Sequence, residues 1–442
     1  MIKQLRYHGP QSLVWQCASR FIVLEAGRRS GKTALAILDA ILCALQEERE
    51  DGFFGVLAAP TRDQAKAIFW EQLKAQIPRG CIESISESEL VIRFVNGNRL
   101  QVVGLDKPQR VEGRVIDKLW VDEVADMKQD TWDRNLRPAL STDGRPGKAW
   151  IFGVPRFSRQ FADLAKFAQR PENQPEWAYF TWESKELLSP QELASARSSM
   201  DPLIFAQEYE AKRVNFSGRA YHQLDRRVHG SFELEPDLKR TLNLCFDFNN
   251  SPGVCAGVQE LPPPAKAKKV LGDRLRDVVT SAVGEVYIPR NSNSLLVAEK
   301  AIEVFGAFKG SVVLWGDATG GAKHTSSVVG SDWDLITGTL EAHFGHRLRR
   351  GYGSSNPPER ARINSVNARL YSADGKVGAL VCPRRAPNLL EDLDETITLE
   401  GTAGELDKRD KRRTHASDAF GYYVENNFPV LGVAHSTSAY AH

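Results

Sequence analysis

Among the six cysteines of the chain, at positions 17, 43, 81, 245, 255 and 382, there is no Cys-x-x-Cys pair. That scatter argues against a zinc ribbon and a disulfide framework, and it fits a reducing compartment. Long apolar runs are missing as well. Nothing approaches the roughly 20 residues that span a bilayer, and the segment from Met1 to Pro10 has no signal-peptide run. No membrane association is expected. Charge of one sign is also absent: a net +2 over 442 residues does not advertise nucleic-acid binding, so any basic surface must be local. Three short clusters answer to that, Lys266-Lys268-Lys269, Arg347-Arg349-Arg350 and Lys408-Arg409-Lys411-Arg412-Arg413. Taken alone, each reads first as a solvated loop. There is no internal repeat and no low-complexity tract.

What is present is an ordinary globular composition, 42% hydrophobic and 26% charged, in a chain long enough for two cores. The first half alternates short apolar strands with helical text, the pattern of a parallel α/β sheet. Strands are predicted at Phe21 to Ala26, Phe53 to Ala58, Leu119 to Val121 and Trp150 to Phe152, with a helix from Ala34 to Gln46. Leu90 to Val95 and Arg99 to Val103 flank Asn96-Gly97, a tight-turn pair that tolerates positive φ and so reads as a hairpin. From Ser189 to Arg240 the text turns polar, helical and then irregular, as a connector would. A second sheet is expected from Leu242 to Phe248, Val254 to Gln259, Ser281 to Ile288 and Val312 to Trp315, with Pro262 to Lys269 as turn and loop. Helical text follows near Pro358 to Tyr371 and Thr414 to Asn426.

Between the first strand and the first helix stands Ala26-Gly27-Arg28-Arg29-Ser30-Gly31-Lys32-Thr33. This is the phosphate-cradling pattern G-x-x-x-x-G-K-[ST] with Ala26 in place of the first glycine, in the strand-to-helix context the motif requires. Gly31 lets backbone N–H groups approach phosphate at a helix N-terminus. Lys32 would neutralise the β- and γ-phosphates of ATP, and the Thr33 hydroxyl would hold Mg²⁺. About ninety residues on, Leu119-Trp120-Val121 ends in Asp122-Glu123. Asp122 suits the Mg²⁺ surroundings, and Glu123 suits the base that orients the attacking water; Trp120 reads as a core aromatic. Arg28 and Arg29 are unusual inside such a loop, and each reads as reaching the γ-phosphate or else as meeting solvent or a neighbouring carboxylate.

With these motifs the chain resembles the large subunit of tailed-bacteriophage terminases, the DNA-packaging motors. The loop with its two arginines is similar to that family's phosphate loop. Ala59-Pro60-Thr61 with Gln64-Ala65, Arg110-Val111-Glu112-Gly113-Arg114, Val121-Asp122-Glu123, Trp132 and Leu136-Arg137-Pro138-Ala139-Leu140 follow in family order. Gly153-Val154-Pro155 stands where the family carries a coupling motif, with Val154 in place of a small hydroxyl residue. Gln11, or else Gln16, resembles a glutamine that reads adenine, and spacing favours Gln11. Phe205-Ala206-Gln207-Glu208-Tyr209-Glu210 and Gly218-Arg219-Ala220-Tyr221 match the passage between the family's two domains.

The resemblance implies an additional-strand (RecA/helicase-like) P-loop ATPase over 1–190, a connector over 191–240 and an RNase H-like nuclease over 241–442. It also implies that Asp247, Asp317 and Asp418 bind the Mg²⁺ or Mn²⁺ ions of the nuclease; hard carboxylate oxygen suits such ions. Glu285 reads as a fourth ligand or, preferably, a solvent-facing strand residue, and His415 as a helper near the metal or a helix cap. Lys408 to Arg413, then Arg347 to Arg350, are the expected phosphate contacts for duplex DNA. The implied partners are double-stranded DNA, a portal protein, a small terminase subunit and further copies in a ring, with Arg110, Arg114 or Arg137 as an arginine supplied to a neighbour. The expected place of action is the host cytoplasm, transiently on the procapsid portal and not in the mature virion. A rival reading keeps the chemistry but makes the protein a helicase or recombination nuclease outside any capsid.

Overall fold

A computed structural model of the chain describes residues 9–156, 158–214, 218–248, 251–318, 331–399, 402 and 404–430. The chain folds as two compact units. One comprises the residues up to Leu193 together with Ala206–Val214; the other comprises Ala194–Phe205 and the rest of the chain.

The first unit is built on eight strands: β1 (Phe21–Ala26), β2 (Phe54–Ala59), β3 (Ile82–Ser86), β4 (Val91–Phe94), β5 (Arg99–Gly104), β6 (Lys118–Val121), β7 (Lys148–Gly153) and β8 (Trp177–Trp182). Their order across the sheet is β8-β1-β7-β6-β2-β5-β4-β3. The six from β8 to β5 run parallel, and β4 and β3 close the edge antiparallel. Parallel strands covered on both faces are mostly apolar, and β1 and β2 are buried at every position, Glu25 of β1 included. Along β1 the pleat sends Ile22 and Leu24 into a core with Leu35, Ala36 and Ile37 of helix Lys32–Gln46. Phe21 and Val23 face the opposite core with Phe161 and Trp132. The predicted hairpin joins β4 and β5, with Gly97 at φ +83°.

The second unit holds a six-stranded sheet: β9 (Leu242–Asp247), β10 (Gly253–Leu261), β11 (Leu275–Ile288), β12 (Val312–Gly316), β13 (Leu348–Arg350) and β14 (Val377–Val381). The order is β13-β12-β9-β10-β11-β14. The first three strands in sequence form an antiparallel meander; β12 then pairs parallel with β9, and β13 parallel with β12. Helices Glu359–Leu370 and His415–Asn427 share one apolar core with this sheet. One expectation fails here. The turn predicted over Pro262 to Lys269 is a helix, Ala265–Leu271, behind Pro264. Proline stops a helix only from its interior; placed ahead of alanines and lysines, both good helix formers, it serves as a start.

Candidate functional site

At the C-terminal edge of the first sheet three loops converge, from β1, β6 and β7, which are neighbours in the order β1-β7-β6. Open parallel sheets place their ligand sites at this edge. After β1 the chain turns through Arg29 at φ +54° and Gly31 at φ +88° into helix Lys32–Gln46. Ala26 still pairs as a strand residue with Trp182, which explains why the motif's first glycine is dispensable here. Gly27 is not. A Cβ there would run into the Ser184 side chain and the Tyr209 carbonyl. The Ser30 hydroxyl donates to the Gly27 carbonyl at 2.6 Å, and the Gly27 N–H donates to Trp182 at 3.0 Å, so the loop is braced from inside.

Lys32 is buried, its ammonium donating to the carbonyls of Ala26 at 3.2 Å and Gly27 at 3.1 Å. Burial pushes its pKa down, and Asp122, Glu123 and Glu208 pull the other way. The Thr33 hydroxyl donates to Asp122 Oδ2 at 2.6 Å. Asp122 is pushed up to about 6, first by burial and then by Glu123 beside it. Glu123 adopts φ +53°, a costly conformation for a residue with a Cβ. Its N–H donates to Asp122 Oδ1 at 2.8 Å. A glycine-gated N-terminus, a buried ammonium and two hard oxygens in contact fit a magnesium–nucleotide. Thr33 and Asp122 would hold the ion, and Lys32 the phosphates.

The structure separates the two loop arginines. Arg28 is partly buried with Nη1 3.4 Å from Glu208, whereas Arg29 is exposed. Gln11 is buried and donates through Nε2 to the Gly31 carbonyl at 2.9 Å; Gln16 is exposed. Arg156 and Glu208 complete this cluster, and sequence reasoning gave neither a role in it. Arg156 follows the coupling tripeptide and Glu208 lies in the matched interdomain passage, so both were in view, without a signal that they meet.

In the second unit, Phe246 of β9 is in register with Gly316 of β12, so Asp247 and Asp317 leave adjacent parallel strands at the same edge. Gly316 is required there because a Cβ would strike the Phe246 carbonyl. Asp418 comes from helix His415–Asn427. Asp247, Asp317 and Asp418 all act on the Tyr422 hydroxyl, whose pKa is raised first by burial and then by these charges. Each carboxylate has a protein donor. His415 Nδ1 lies 2.9 Å from Asp247, Asn356 Nδ2 donates to Asp317 at 2.6 Å, and Arg362 donates to Asp418 at 2.8 Å. Burial lifts Asp418 to about 6, Asp247 adds to this, and Arg362 opposes it.

Among the described residues no three His, Cys, Asp or Glu side chains are placed to hold one ion. The donor oxygens suit Mg²⁺ or Mn²⁺, and Arg362 is bonded to Asp418 Oδ1. One reading is corrected, and one left open between two alternatives is resolved. Glu285 neither faces solvent nor joins the aspartates: it accepts from the N–H groups of Asn388 and Leu389, each at 2.8 Å, and caps helix Pro387–Glu395. His415 is no cap but the partner of Asp247. Thr319 and Gly320, in the segment matched around Asp317, lie outside the described residues. Lys408, Arg409, Arg412 and Arg413 all pair with carboxylates of their own unit. Where such pairs are exposed they are weak and exchange readily.

These features define the class. The first sheet inserts β7 between the phosphate-loop strand and the strand ending in Asp122-Glu123, which is the additional-strand P-loop ATPase fold; the second has the strand order of an RNase H-like fold, with β14 added at its edge. Comparison points to a family. Residues 23–228, a little under half of the chain, match the family described as terminase large subunit, T4likevirus-type, N-terminal, and the chain is similar to the terminase large subunits. The large terminase of a thermophilic bacteriophage, in complex with ADP, is 14% identical, with a TM-score of 0.59, over 95% of this chain and 99% of that one. The same phage protein in complex with ATP-gamma-S is 15% identical, with a TM-score of 0.58 and the same coverage. At this identity the likeness is one of fold. No curated protein matches the chain by sequence.

Proposed function

We propose that the chain is a DNA-packaging motor: it hydrolyses ATP to drive double-stranded DNA into a viral procapsid and cuts concatemeric DNA when packaging begins and ends. The observation that carries this reading is the pairing, in one chain, of a phosphate loop joined to Asp122 through Thr33 with aspartates on an RNase H-like sheet. In the first unit Lys32 meets phosphate charge, Thr33 and Asp122 orient the magnesium, and Glu123 takes the proton of the attacking water. Bound magnesium supplies charge neutralisation on the phosphate oxygens. A neighbouring copy in a ring supplies an arginine. Arg137 is engaged with Ser141 at 2.7 Å and Arg114 with Gln101 at 2.5 Å, so the exposed Arg110 is the better candidate.

In the second unit Asp247, Asp317 and Asp418 would hold divalent ions, which would supply charge stabilisation for phosphodiester cleavage. The basic stretch Lys408 to Arg413 contacts duplex phosphates without reading sequence. The portal protein and small terminase subunit are the partners, and the site of action is the procapsid portal in the host cytoplasm.

The decisive experiment is plasmid cleavage by the full chain with Mn²⁺ or Mg²⁺, beside Asp317→Ala. Metal-dependent, sequence-tolerant cutting that disappears in the variant is expected. Cutting that survives the substitution would remove Asp317 from the site, and no cutting with portal and small subunit present would remove the nuclease from the proposal.

A further inference from the structure

Arg156 is a buried cation, 8% exposed, directly after the coupling tripeptide. A buried guanidinium must be paired, and its planar fork gives the pairing a direction. Here one edge is fully used by Glu208, with Nε to Oε1 at 2.8 Å and Nη2 to Oε2 at 3.1 Å. The remaining nitrogen, Nη1, is thereby aimed at two carboxylates of the β6 loop, Asp126 at 3.1 Å and Glu123 at 3.4 Å. Glu208 is itself 2% exposed. It also receives Arg28 of the phosphate loop, through Nη1 at 3.4 Å and through the Arg28 N–H to its own carbonyl at 2.6 Å. One carboxylate thus touches the phosphate loop directly and the base through a single arginine.

We propose that Glu208 is a positioning residue for ATP hydrolysis. It sets the orientation of Arg156, Arg156 holds the Glu123 carboxylate in place for the attacking water, and Arg28 links that orientation to the state of the phosphate loop. Neither Glu208 nor Arg156 contacts the reacting atoms in this scheme. The charge of Glu208 matters because an uncharged amide donates where Arg156 also donates, which turns the fork away from its bidentate geometry. The inference rests on the hydrolysis reading above.

The test uses the full-length chain with wild type, Glu208→Gln, Arg156→Lys and the double variant in one assay. Steady-state ATP turnover, affinity for a fluorescent ATP analogue and thermal melting are measured together. Glu208→Gln is expected to lower kcat about 10- to 100-fold, part of what a well-placed base contributes, with KM and analogue affinity within about twofold. Arg156→Lys should behave alike, because an ammonium cannot bridge both sides, and the double variant should be no slower than the worse single one. Turnover of the variants within about twofold of wild type overturns the inference alone. So does a parallel loss of melting temperature, affinity and kcat, which marks a merely structural pair, or multiplicative losses in the double variant. Should Glu208→Gln fail to fold, the kcat and KM of Arg156→Lys decide. An inactive wild type overturns the hydrolysis reading and this inference with it.

Discussion

Lys32 and Asp122 carry opposite burdens in the same pocket: burial lowers the pKa of one and raises that of the other. Removing the ammonium in Lys32→Ala takes away the charge that meets phosphate, and ATP turnover is expected to fall about 100-fold or more, read by phosphate release. Asp122 has a stability consequence as well. Its folded pKa, raised to about 6 from 3.8, means that the protonated group's contribution is complete below 3.8 and lost as pH rises through about 6. The nucleotide-free chain should lose stability across that window. Asp122→Asn, neutral throughout, should flatten the loss and melt higher at neutral pH while abolishing hydrolysis. Denaturant melts at either end of the window test this; a variant less stable than wild type at neutral pH would contradict it. Asp122 and Glu123 were legible because they end an apolar strand downstream of a phosphate loop. The weight of burial on Asp122 was not, since burial comes from residues far along the chain.

At the scale of elements, helix His415–Asn427 delivers Asp418, yet its own cap residue, Thr414, sits at φ +75° and provides no side-chain cap. Asp392 does the capping, accepting from the N–H groups of Thr414 at 2.7 Å and Ser417 at 2.8 Å. Asp392 belongs to helix Pro387–Glu395, which is capped in turn by Glu285 of β11. Two carboxylates therefore tie the aspartate-bearing helix back to the sheet through an intermediate helix. Asp392→Ala should cost about 1–2 kcal/mol in a urea melt and reduce metal-dependent cutting, with Asp392→Asn milder because one acceptor survives. Undiminished cutting by a destabilised Asp392→Ala would show that the cap does not position Asp418. From the sequence Glu285 had two readings, ligand or surface residue, and capping was neither, because an N-cap is normally sought just before its helix.

Across the whole molecule each unit carries its own core and its own charged site. Asp317→Ala is expected to abolish plasmid cutting while leaving ATP turnover unchanged, and Lys32→Ala to do the reverse. Both are measured on the same full-length preparations. A fall in both activities from either substitution would mean that the two chemistries depend on each other in the isolated chain.

The sequence by itself determined most strands of both sheets and the phosphate loop, but not β3, β8, β13 or β14. Strands buried on both faces are written as unbroken apolar runs, as in Phe54–Ala59, and a phosphate loop is a contiguous string whose glycine and lysine have local reasons. It also marked Asp247, Asp317 and Asp418, but only singly. What joins these parts was decided by tertiary structure. The insertion of β7 between β1 and β6 is a matter of pairing between distant segments. The bonds from Arg156 to Glu208 and from Arg362 to Asp418 cross 52 and 56 residues of chain. The physical reason is the same in each case. A buried charge needs a partner, but the folded packing chooses which one, and nothing in local spacing records that choice.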